Sequence, residues 1–302
     1  MNNIIDNIKK LKKEKNAVIL AHYYQNGEIQ DVADYVGDSL ALAQIAAKTE
    51  ADIIVFCGVH FMAETAKILS PQKKVLIPVM EAGCMMANMI NEDDLAMYKK
   101  NNPDTKILAY VNSTANVKAL ADCCVTSSNA LGIIEYYQKN NEKILYCPDQ
   151  NLGKYAMSIK GYTFDVWSGF CSIHHNINPS LVDEMTKKHS NALFVAHPEC
   201  SLDVLNKASY VGSTKQLIEY VTNSDCNEFI IGTELGVIHE MKKRNPNKVF
   251  IPLTDKFTCK DMKLTTLDSL YKCLNEECNE IVLDENIIVK ARKCLDNMLK
   301  LS

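Results

Sequence analysis

The chain has 302 residues, 47% of them apolar, and its 33 basic and 37 acidic side chains leave a net charge of -4. This composition is typical of a globular core, and the absence of a basic excess argues against nucleic acid as a partner. The N-terminal segment lacks the apolar core of a signal peptide, and no apolar run is long enough to cross a membrane. We therefore expect a cytoplasmic protein without a membrane partner.

Three segments of the chain can be laid over one another without gaps, and they begin at Ile19, Ile107 and Phe194. Their starts lie 88 and 87 residues apart. Each segment predicts an apolar strand, a loop, a short helix, a very short second strand and a helix that opens with Ser or Thr. The second strands are predicted at 35–36, 124–125 and 210–211. A fixed period of this kind is typical of a repeated structural unit.

A second half follows in each segment. Buried strands are predicted at 53–57, 144–147 and 229–231, and closing strands at 75–77, 163–167 and 249–251, with a helical stretch between. Because strands alternate with helices, the sheets should be parallel and covered on both faces. The predicted fold class is α/β, with three similar α/β/α sandwich units in a pseudo-threefold arrangement. The units are predicted at residues 1–104, 105–190 and 191–302, the last with a C-terminal helical extension.

Twelve cysteines occur in the chain, and no two of them form a Cys-x-x-Cys pair. A cytoplasmic chain of this length does not need a disulfide framework, so its thiols either bind metal or fill the core. Four of them lie in or beside strand-like runs and are interpreted as core: Cys57, Cys123, Cys124 and Cys147. A metal site made of cysteines must then be assembled from distant parts of the sequence.

One cysteine follows the closing strand of each unit, and these are Cys84, Cys171 and Cys259. Their spacings of 87 and 88 residues match the repeat period, so a threefold arrangement would bring three thiolates to one axis. Such a set suits an iron–sulfur cluster in which one iron has no protein ligand, or a zinc site with one open position. In either case substrate could bind the metal and react there.

Polar residues also recur at the ends of the first strands. The equivalent residues are His22, Tyr110 and His197, followed two residues later by Tyr24, Asn112 and Glu199. The carboxyl ends of parallel strands are where open α/β sheets bind their ligands. The repetition therefore predicts one active site at the central axis.

Hydroxyl residues recur where the second strand of each unit meets its following helix. They are Ser39, Ser127 and Thr214, with Ser213 directly before Thr214, and they are predicted to be N-caps. Three helix N-termini aimed at one axis would bind phosphate or carboxylate groups. His174, three residues after Cys171, is predicted to lie near any bound ligand.

Longer motifs occur along essentially the whole chain: AHYYQ, VADYVGDS, AYVNST, TSSNA, PDQNLG, GFCSIH, HPEC, YVGST, IGTELG and CKDMK. On these motifs the sequence resembles the quinolinate synthase family, the iron–sulfur quinolinate synthetases A. The Cys-Met-Met after Gly83 departs from the Cys-Pro-Met that is common in the family. The resemblance implies condensation of iminoaspartate with dihydroxyacetone phosphate to quinolinate, with release of phosphate and water, in the biosynthesis of NAD.

The resemblance also implies one [4Fe-4S] cluster, held by Cys84, Cys171 and Cys259 and with one iron open to substrate. The implied proton-transfer residues are Tyr24, Tyr110 and Glu199, with Asn112 and His197 near the same atoms. The other implied substrate ligands are His22, Ser39, Ser127, His174, Ser213 and Thr214. An oxidase or dehydrogenase that produces iminoaspartate is the expected functional partner.

Two other functions stay open on the spacing alone. A zinc-dependent hydrolase or lyase could use the same three thiolates, because soft ligands suit both metals. A non-enzymatic anion-binding module would instead bury these cysteines in its core and bind its ligand at the Ser-headed helices. Replacing the three cysteines would leave ligand affinity unchanged in the binding module and abolish the metal site in either enzyme.

Overall fold

The architecture comes from a computed structural model that describes residues 2–302. The first unit contains α1 (Asn2–Glu14), β1 (Ala17–His22), α2 (Gly27–Val32), β2 (Tyr35–Gly37), α3 (Ser39–Lys48), β3 (Ile53–Cys57), α4 (His60–Leu69), β4 (Lys74–Leu76) and α5 (Glu92–Asn101). A short 3-10 helix, Ala87–Met89, precedes α5.

The second unit contains β5 (Thr105–Tyr110), α6 (Ala115–Leu120), β6 (Cys123–Val125), α7 (Ala130–Lys139), β7 (Lys143–Cys147), α8 (Gln150–Lys160), β8 (Asp165–Val166), α9 (Ser172–His175) and α10 (Pro179–Lys188). The third contains β9 (Leu193–Ala196), α11 (Leu202–Leu205), β10 (Tyr210–Val211), α12 (Thr214–Asn223), β11 (Glu228–Gly232), α13 (Val237–Arg244) and β12 (Val249–Pro252). The chain ends with α14 (Leu267–Glu276) and α15 (Glu285–Leu301).

Each unit has one sheet of four parallel strands, and the strand order is the same in all three. The orders are β2-β1-β3-β4, β6-β5-β7-β8 and β10-β9-β11-β12. The register repeats as well, because Ala21, Ala109 and Ala196 pair with the last residues of β3, β7 and β11. The predicted α/β class with three similar units is therefore confirmed.

The strands form where the sequence has short, continuous apolar runs. All five residues of β3 are buried, as are the last four of β7 and of β11. Strands covered by helices on both faces need apolar side chains in both directions, which explains why these runs do not alternate with polar residues. The four cysteines interpreted as core, at positions 57, 123, 124 and 147, are fully buried, which confirms that prediction.

The three units meet at the loops between their second strands and the following helices. Ser128 of the second unit donates a hydrogen bond to Asp38 Oδ2 of the first unit at 2.6 Å. The Ser128 hydroxyl also lies 2.8 Å from Ser213 Oγ of the third unit. One loop from each unit therefore contributes to a single contact, as the pseudo-threefold arrangement predicts.

The C-terminal helices pack on the first and second units. Leu270 and Leu274 of α14 join Ile8 of α1 on one face of the first sheet. Leu295 and Met298 of α15 belong to the core that covers α4, α6 and β6. The predicted unit boundaries fall just before β5 and β9, and the division into three domains stays a prediction. Within residues 2–302 no helix is both long and apolar enough to cross a bilayer.

Candidate active site

A cavity opens where the carboxyl ends of the three sheets face one another. It contains about 720 Å³ of space that protein atoms do not fill, part of it open to solvent. Its polar lining includes His22 and Tyr24 from the first unit, Tyr110 and Asn112 from the second, and residues 197, 199 and 214 from the third. All three units therefore contribute side chains to one cavity.

The structure brings together nearly all of the residues that the sequence predicts for the site. The predicted residues that line the cavity are His22, Tyr24, Ser39, Cys84, Tyr110, Asn112, Ser127, Cys171, His174, His197, Glu199, Thr214 and Cys259. Ser213 is fully buried beside it, where its hydroxyl accepts a hydrogen bond from the Gln216 amide at 3.3 Å and contacts Ser128. The role of Ser213 as a ligand stays a prediction.

The helix caps differ from the prediction by one or two residues. The N-caps of α3, α7 and α12 are Asp38, Asn129 and Ser213. Asp38 caps α3 because its carboxylate accepts the Ala41 amide at 3.0 Å, and Ser39 becomes the first helical residue. The predicted caps Ser39, Ser127 and Thr214 instead stand at the cavity, close to helix N-termini that favour anions.

Glu199 is the centre of a buried hydrogen-bond network. Tyr110 donates to Glu199 Oε1 at 2.7 Å, and His174 Nδ1 lies 2.9 Å from Oε2. Burial alone raises the pKa of Glu199, but its neighbours His197, His174 and Tyr110 outweigh that effect and lower the pKa to about 2. Glu199 is therefore an ionised acceptor at neutral pH, even though it is only 4% exposed.

Two histidines and two tyrosines of the cavity have pKa values that keep them uncharged at neutral pH. Burial lowers the pKa of His22 to about 3 and that of His197 to about 4. Burial, together with the Glu199 charge, raises the pKa of Tyr24 and of Tyr110 well above the ordinary value. Both phenols thus keep their protons, so each can act as an acid or as a hydrogen-bond donor.

The three cysteines predicted as metal ligands line this same cavity, each after the last strand of its unit. Burial, with a smaller effect from Cys259, raises the pKa of the Cys84 thiol to about 12. Burial, Glu199 and Cys84 raise that of Cys171 well above its ordinary range, and burial raises that of Cys259 to about 11. No Lys or Arg of residues 2–302 lines the cavity, so a bound cation is what would stabilise three thiolates here.

A second set of metal donors overlaps the first. Cys171 Sγ, a ring nitrogen of His174 and a carboxylate oxygen of Glu199 lie within 4.8 Å of one another. The described residues therefore provide a candidate metal site in which thiolates predominate, with imidazole and carboxylate donors beside them.

Sequence reasoning missed two residues that follow β11. Thr233 lies 2.8 Å from Tyr24 Oη and 3.0 Å from His174 Nε2. Glu234 accepts hydrogen bonds from the Gly236 amide at 2.6 Å and the Cys259 amide at 3.3 Å, and its Oε1 lies 2.9 Å from Lys263 Nζ. In the repeat register the first unit has Gly-Val at these two positions and the second has Pro-Asp. The departure of the third unit from these pairs is the signal that could have identified both residues.

Lys263 joins this network to the first unit. Its ammonium group donates to the backbone carbonyl of Tyr24 as well as to Glu234. Burial raises the pKa of Glu234, and the contact with Lys263 counteracts that rise. The loop that carries Cys259 is thus attached both to β11 and to the segment that carries Tyr24.

Comparison with known proteins gives a consistent result along the chain. Residues 6–300 match the family described as NadA: Quinolinate synthetase A protein. A quinolinate synthase of Alkaliphilus metalliredigens is 50% identical over 300 residues, covering 99% of this chain and 98% of that protein. Quinolinate synthases of Clostridium perfringens and Microcystis aeruginosa are 48% and 45% identical, over 99% and 98% of this chain and 99% and 94% of theirs. The chain belongs to the quinolinate synthetase A family.

Proposed function

We propose that this protein condenses iminoaspartate with dihydroxyacetone phosphate to quinolinate, with release of phosphate and water, in the biosynthesis of NAD. The observation that carries the proposal is one cavity that combines three cysteines, one from each unit, with an acid–base network centred on Glu199. Family membership supports the same reaction.

The cysteines are proposed to hold one [4Fe-4S] cluster. Three thiol donors on a cavity without Lys or Arg fit a group that supplies positive charge and leaves one iron without a protein ligand. When bound, such a cluster supplies a Lewis acid that can hold a substrate carboxylate or hydroxyl group. Cys84, Cys171 and Cys259 are the residues that would hold it.

Anionic groups of the substrates are proposed to bind near the N-termini of α3, α7 and α12. Ser39, Ser127 and Thr214 line the cavity at these three places, and His22 and His197 lie beside them. Helix N-termini offer unpaired amides and the positive end of the helix dipole. A protein with a net charge of -4 can bind a phosphate and several carboxylates in this way without a basic face.

The proton transfers are assigned to Glu199, Tyr24 and Tyr110, with Asn112 and His197 near the same atoms. Ionised Glu199 is the base that accepts a proton from a substrate carbon or nitrogen. The two protonated phenols donate to carbonyl or hydroxyl oxygens as water leaves. Tyr110 donates a hydrogen bond to Glu199, whereas Tyr24 lies in contact with Thr233. These different contacts support separate roles for the two tyrosines.

We further propose a reducing, cytoplasmic location, in which the three cysteines of the site would stay available as thiols. Iminoaspartate is an imine, which water hydrolyses readily. An oxidase or dehydrogenase that produces it is therefore the proposed functional partner.

The test is anaerobic purification followed by iron, sulfide and zinc analysis and a quinolinate assay. We expect about four irons and four sulfides per chain, as in a cubane cluster, and a loss of both in Cys171→Ala. Cys226→Ala is the matched control, because Cys226 is also partly buried but lies outside the cavity. A colourless protein with one zinc would contradict the cluster and favour a zinc hydrolase or lyase built on the Cys171, His174 and Glu199 donors.

A further inference from the structure

The short helix after the first strand of each unit has one repeat position whose side chain is buried in all three units. In the gapless alignment of the repeats this position holds Gln30 on α2, Lys118 on α6 and Leu205 on α11. Gln and Lys are seldom buried so completely without partners, because their polar ends lose contact with water. Two of the three units therefore hold a buried donor at this position.

These two donors contact the same carbonyl group of the repeat. The Gln30 side-chain nitrogen donates to the backbone carbonyl of Gln25 at 2.9 Å. Lys118 Nζ donates to the backbone carbonyl of Ser113, and Ser113 aligns with Gln25 in the repeat. In both units the contacted residue directly follows a residue that lines the cavity. Each donor is thus attached to the loop that enters the cavity from its own unit.

In the first unit, side-chain donors hold the backbone on both sides of Tyr24. Gln30 also donates to the Tyr23 carbonyl at 2.9 Å, and Lys263 donates to the carbonyl of Tyr24 itself. The same Gln30 nitrogen lies 2.9 Å from the carbonyl of Gly236 in the third unit. A β-carbon at Gly236 would lie 2.8 Å from backbone atoms of Tyr23 and Tyr24, so the two units pack tightly here. Gln30 therefore fixes the Tyr24 loop where the first and third units meet.

In the second unit, the loop that carries Asn112 is held in a similar way. Ser113 accepts the Lys118 hydrogen bond at its carbonyl, and its hydroxyl donates to the Tyr110 carbonyl at 2.9 Å. Lys118 Nζ also lies 5.4 Å from the centre of the Phe61 ring, which lines the cavity. Burial lowers the pKa of Lys118, but the amine and the ammonium group both carry N–H donors, so this contact does not depend on the charge. Lys118 thus fixes the backbone next to Asn112.

The third unit holds its cavity residue by other contacts. The carboxylate of Glu199 is oriented by Tyr110 and His174. The backbone carbonyl of Glu199 accepts a hydrogen bond from the Asn151 side chain at 2.8 Å. An apolar residue, Leu205, can therefore occupy the repeat position in this unit.

We propose that Gln30 and Lys118 are positioning residues for the reaction: each holds the loop that carries one cavity residue, Tyr24 or Asn112, at the central axis. The proposal rests on the function proposed above only in identifying that reaction. If these side chains served packing alone, an apolar side chain of similar length would replace them equally well. The two explanations therefore differ in what removal of the donor does.

The test removes each donor and also exchanges the two donors between the units. Gln30→Met and Lys118→Met keep most of the volume without the hydrogen bonds, whereas Gln30→Lys and Lys118→Gln each introduce the donor of the other unit. Leu205→Met, at the equivalent position of the third unit, is the matched control.

Two readouts are needed, and both use anaerobically purified protein. The first is hydrogen–deuterium exchange in peptides that cover residues 20–28 and 108–116. The amides of Gln25 and Ser113 in these peptides are hydrogen-bonded in the structure, so their exchange reports local opening of each loop. The second readout is the separation of kcat from KM in the quinolinate assay.

We expect each Met variant to exchange roughly tenfold faster in its own loop and at an unchanged rate in the other loop, because a lost buried hydrogen bond releases only the loop that it held. Its kcat should fall by about ten- to a hundredfold, and by more than KM changes, since a displaced reacting group slows the reaction itself. The donor-exchange variants should stay close to the unmodified protein, and Leu205→Met should match it in both readouts.

Unchanged exchange in the two loops, equally faster exchange along the whole chain, or an equal loss in the donor-exchange variants would overturn the proposal and assign both side chains to packing. Gln30→Leu and Lys118→Leu, which introduce the residue of the third unit, repeat the comparison if a Met variant does not fold. The exchange rates do not depend on which reaction the protein catalyses. Absence of quinolinate formation by the unmodified protein would therefore count against the proposed function, while loop exchange would still decide the roles of Gln30 and Lys118.

Discussion

Glu199 combines two properties that usually exclude each other, deep burial and a negative charge. The protein tolerates the charge because Tyr110 and His174 each direct a hydrogen bond at one carboxylate oxygen. An ionised carboxylate without such partners would be strongly disfavoured at this depth. The network therefore keeps an ionised carboxylate at the cavity.

Glu199→Gln should keep the metal and lose the reaction. The amide preserves the shape of the side chain but cannot accept a proton, so kcat should fall by about 10²- to 10⁴-fold, the usual contribution of a general base. Iron and sulfide content should match the unmodified protein, because no thiol changes. Glu219→Gln, at a half-exposed surface position, serves as the control. Full activity of Glu199→Gln would refute the assignment of Glu199 as the base.

The buried histidines predict how stability depends on pH. Burial lowers the pKa of His22 to about 3 from the 6.5 that is ordinary for histidine. Below pH 6.5 the His22 side chain binds a proton in the unfolded chain but not in the folded chain. The free energy of unfolding therefore falls as pH decreases towards the pKa of the folded state. Above pH 6.5 the effect of this group is constant.

At pH 5 the His22 contribution should be about 2 kcal/mol smaller than at pH 7, from about 1.4 kcal/mol per pH unit. Urea unfolding at both pH values should show this difference in the unmodified protein and lack it in His22→Gln. The other titrating groups are common to both chains, so the comparison isolates His22. Equal pH dependence in the two proteins would mean that His22 is accessible to protons in the folded state.

At the scale of elements, the loop after β12 is positioned by charge as well as by packing. Glu234, which follows β11, accepts a hydrogen bond from the backbone amide of Cys259. Lys263 connects Glu234 to the backbone carbonyl of Tyr24. The carboxylate of this ion pair is almost completely buried, and Lys263 is 22% exposed. Loss of one partner would leave a buried charge without compensation.

Lys263→Met should lower the free energy of unfolding by about 3 kcal/mol, the lower end of the cost of breaking a buried pair. Adding Glu234→Gln should restore part of this loss, because the uncompensated carboxylate disappears. Lys243→Met, which removes a well-exposed pair with Asp31, should cost less than about 1 kcal/mol. Urea denaturation of the unmodified protein, Lys263→Met, Glu234→Gln and the double variant measures the coupling, and purely additive effects would argue against it.

At the scale of the whole molecule, the C-terminal helices bind the units together. Helix α15 covers α6 and β6 of the second unit, and Arg292 donates to the carbonyl of Leu69 at the end of α4 in the first. Helix α14 packs with α1 on the first sheet. The end of the chain thus stabilises units that lie far from it in sequence.

Leu295→Ala should lower the free energy of unfolding by about 2–5 kcal/mol, because it opens a cavity beneath α15. The transition followed by fluorescence of Trp167, the only tryptophan, should shift together with the one followed by circular dichroism. Val289→Ala, on the exposed side of the same helix, should have little effect. Separate transitions would instead indicate that the second unit unfolds independently of the others.

The amino-acid sequence determined the strands, their parallel arrangement and most of the cavity residues. These features follow from local apolar runs and from a repeat period that places equivalent residues in equivalent structural positions. His22, Tyr110 and His197 occupy equivalent positions in the three units, and so do the three cysteines. This is enough to predict one shared site, because similar units arranged around one axis bring equivalent positions close to each other.

Only the tertiary structure decided which side chains contact one another within that site. The Ser213 hydroxyl contacts Ser128 instead of lining the cavity, and Thr233 links Tyr24 to His174. The C-terminal helices likewise pack on the first two units. These contacts join positions that are tens to hundreds of residues apart, and they depend on side-chain directions that no local pattern encodes, because they form only when the three units meet.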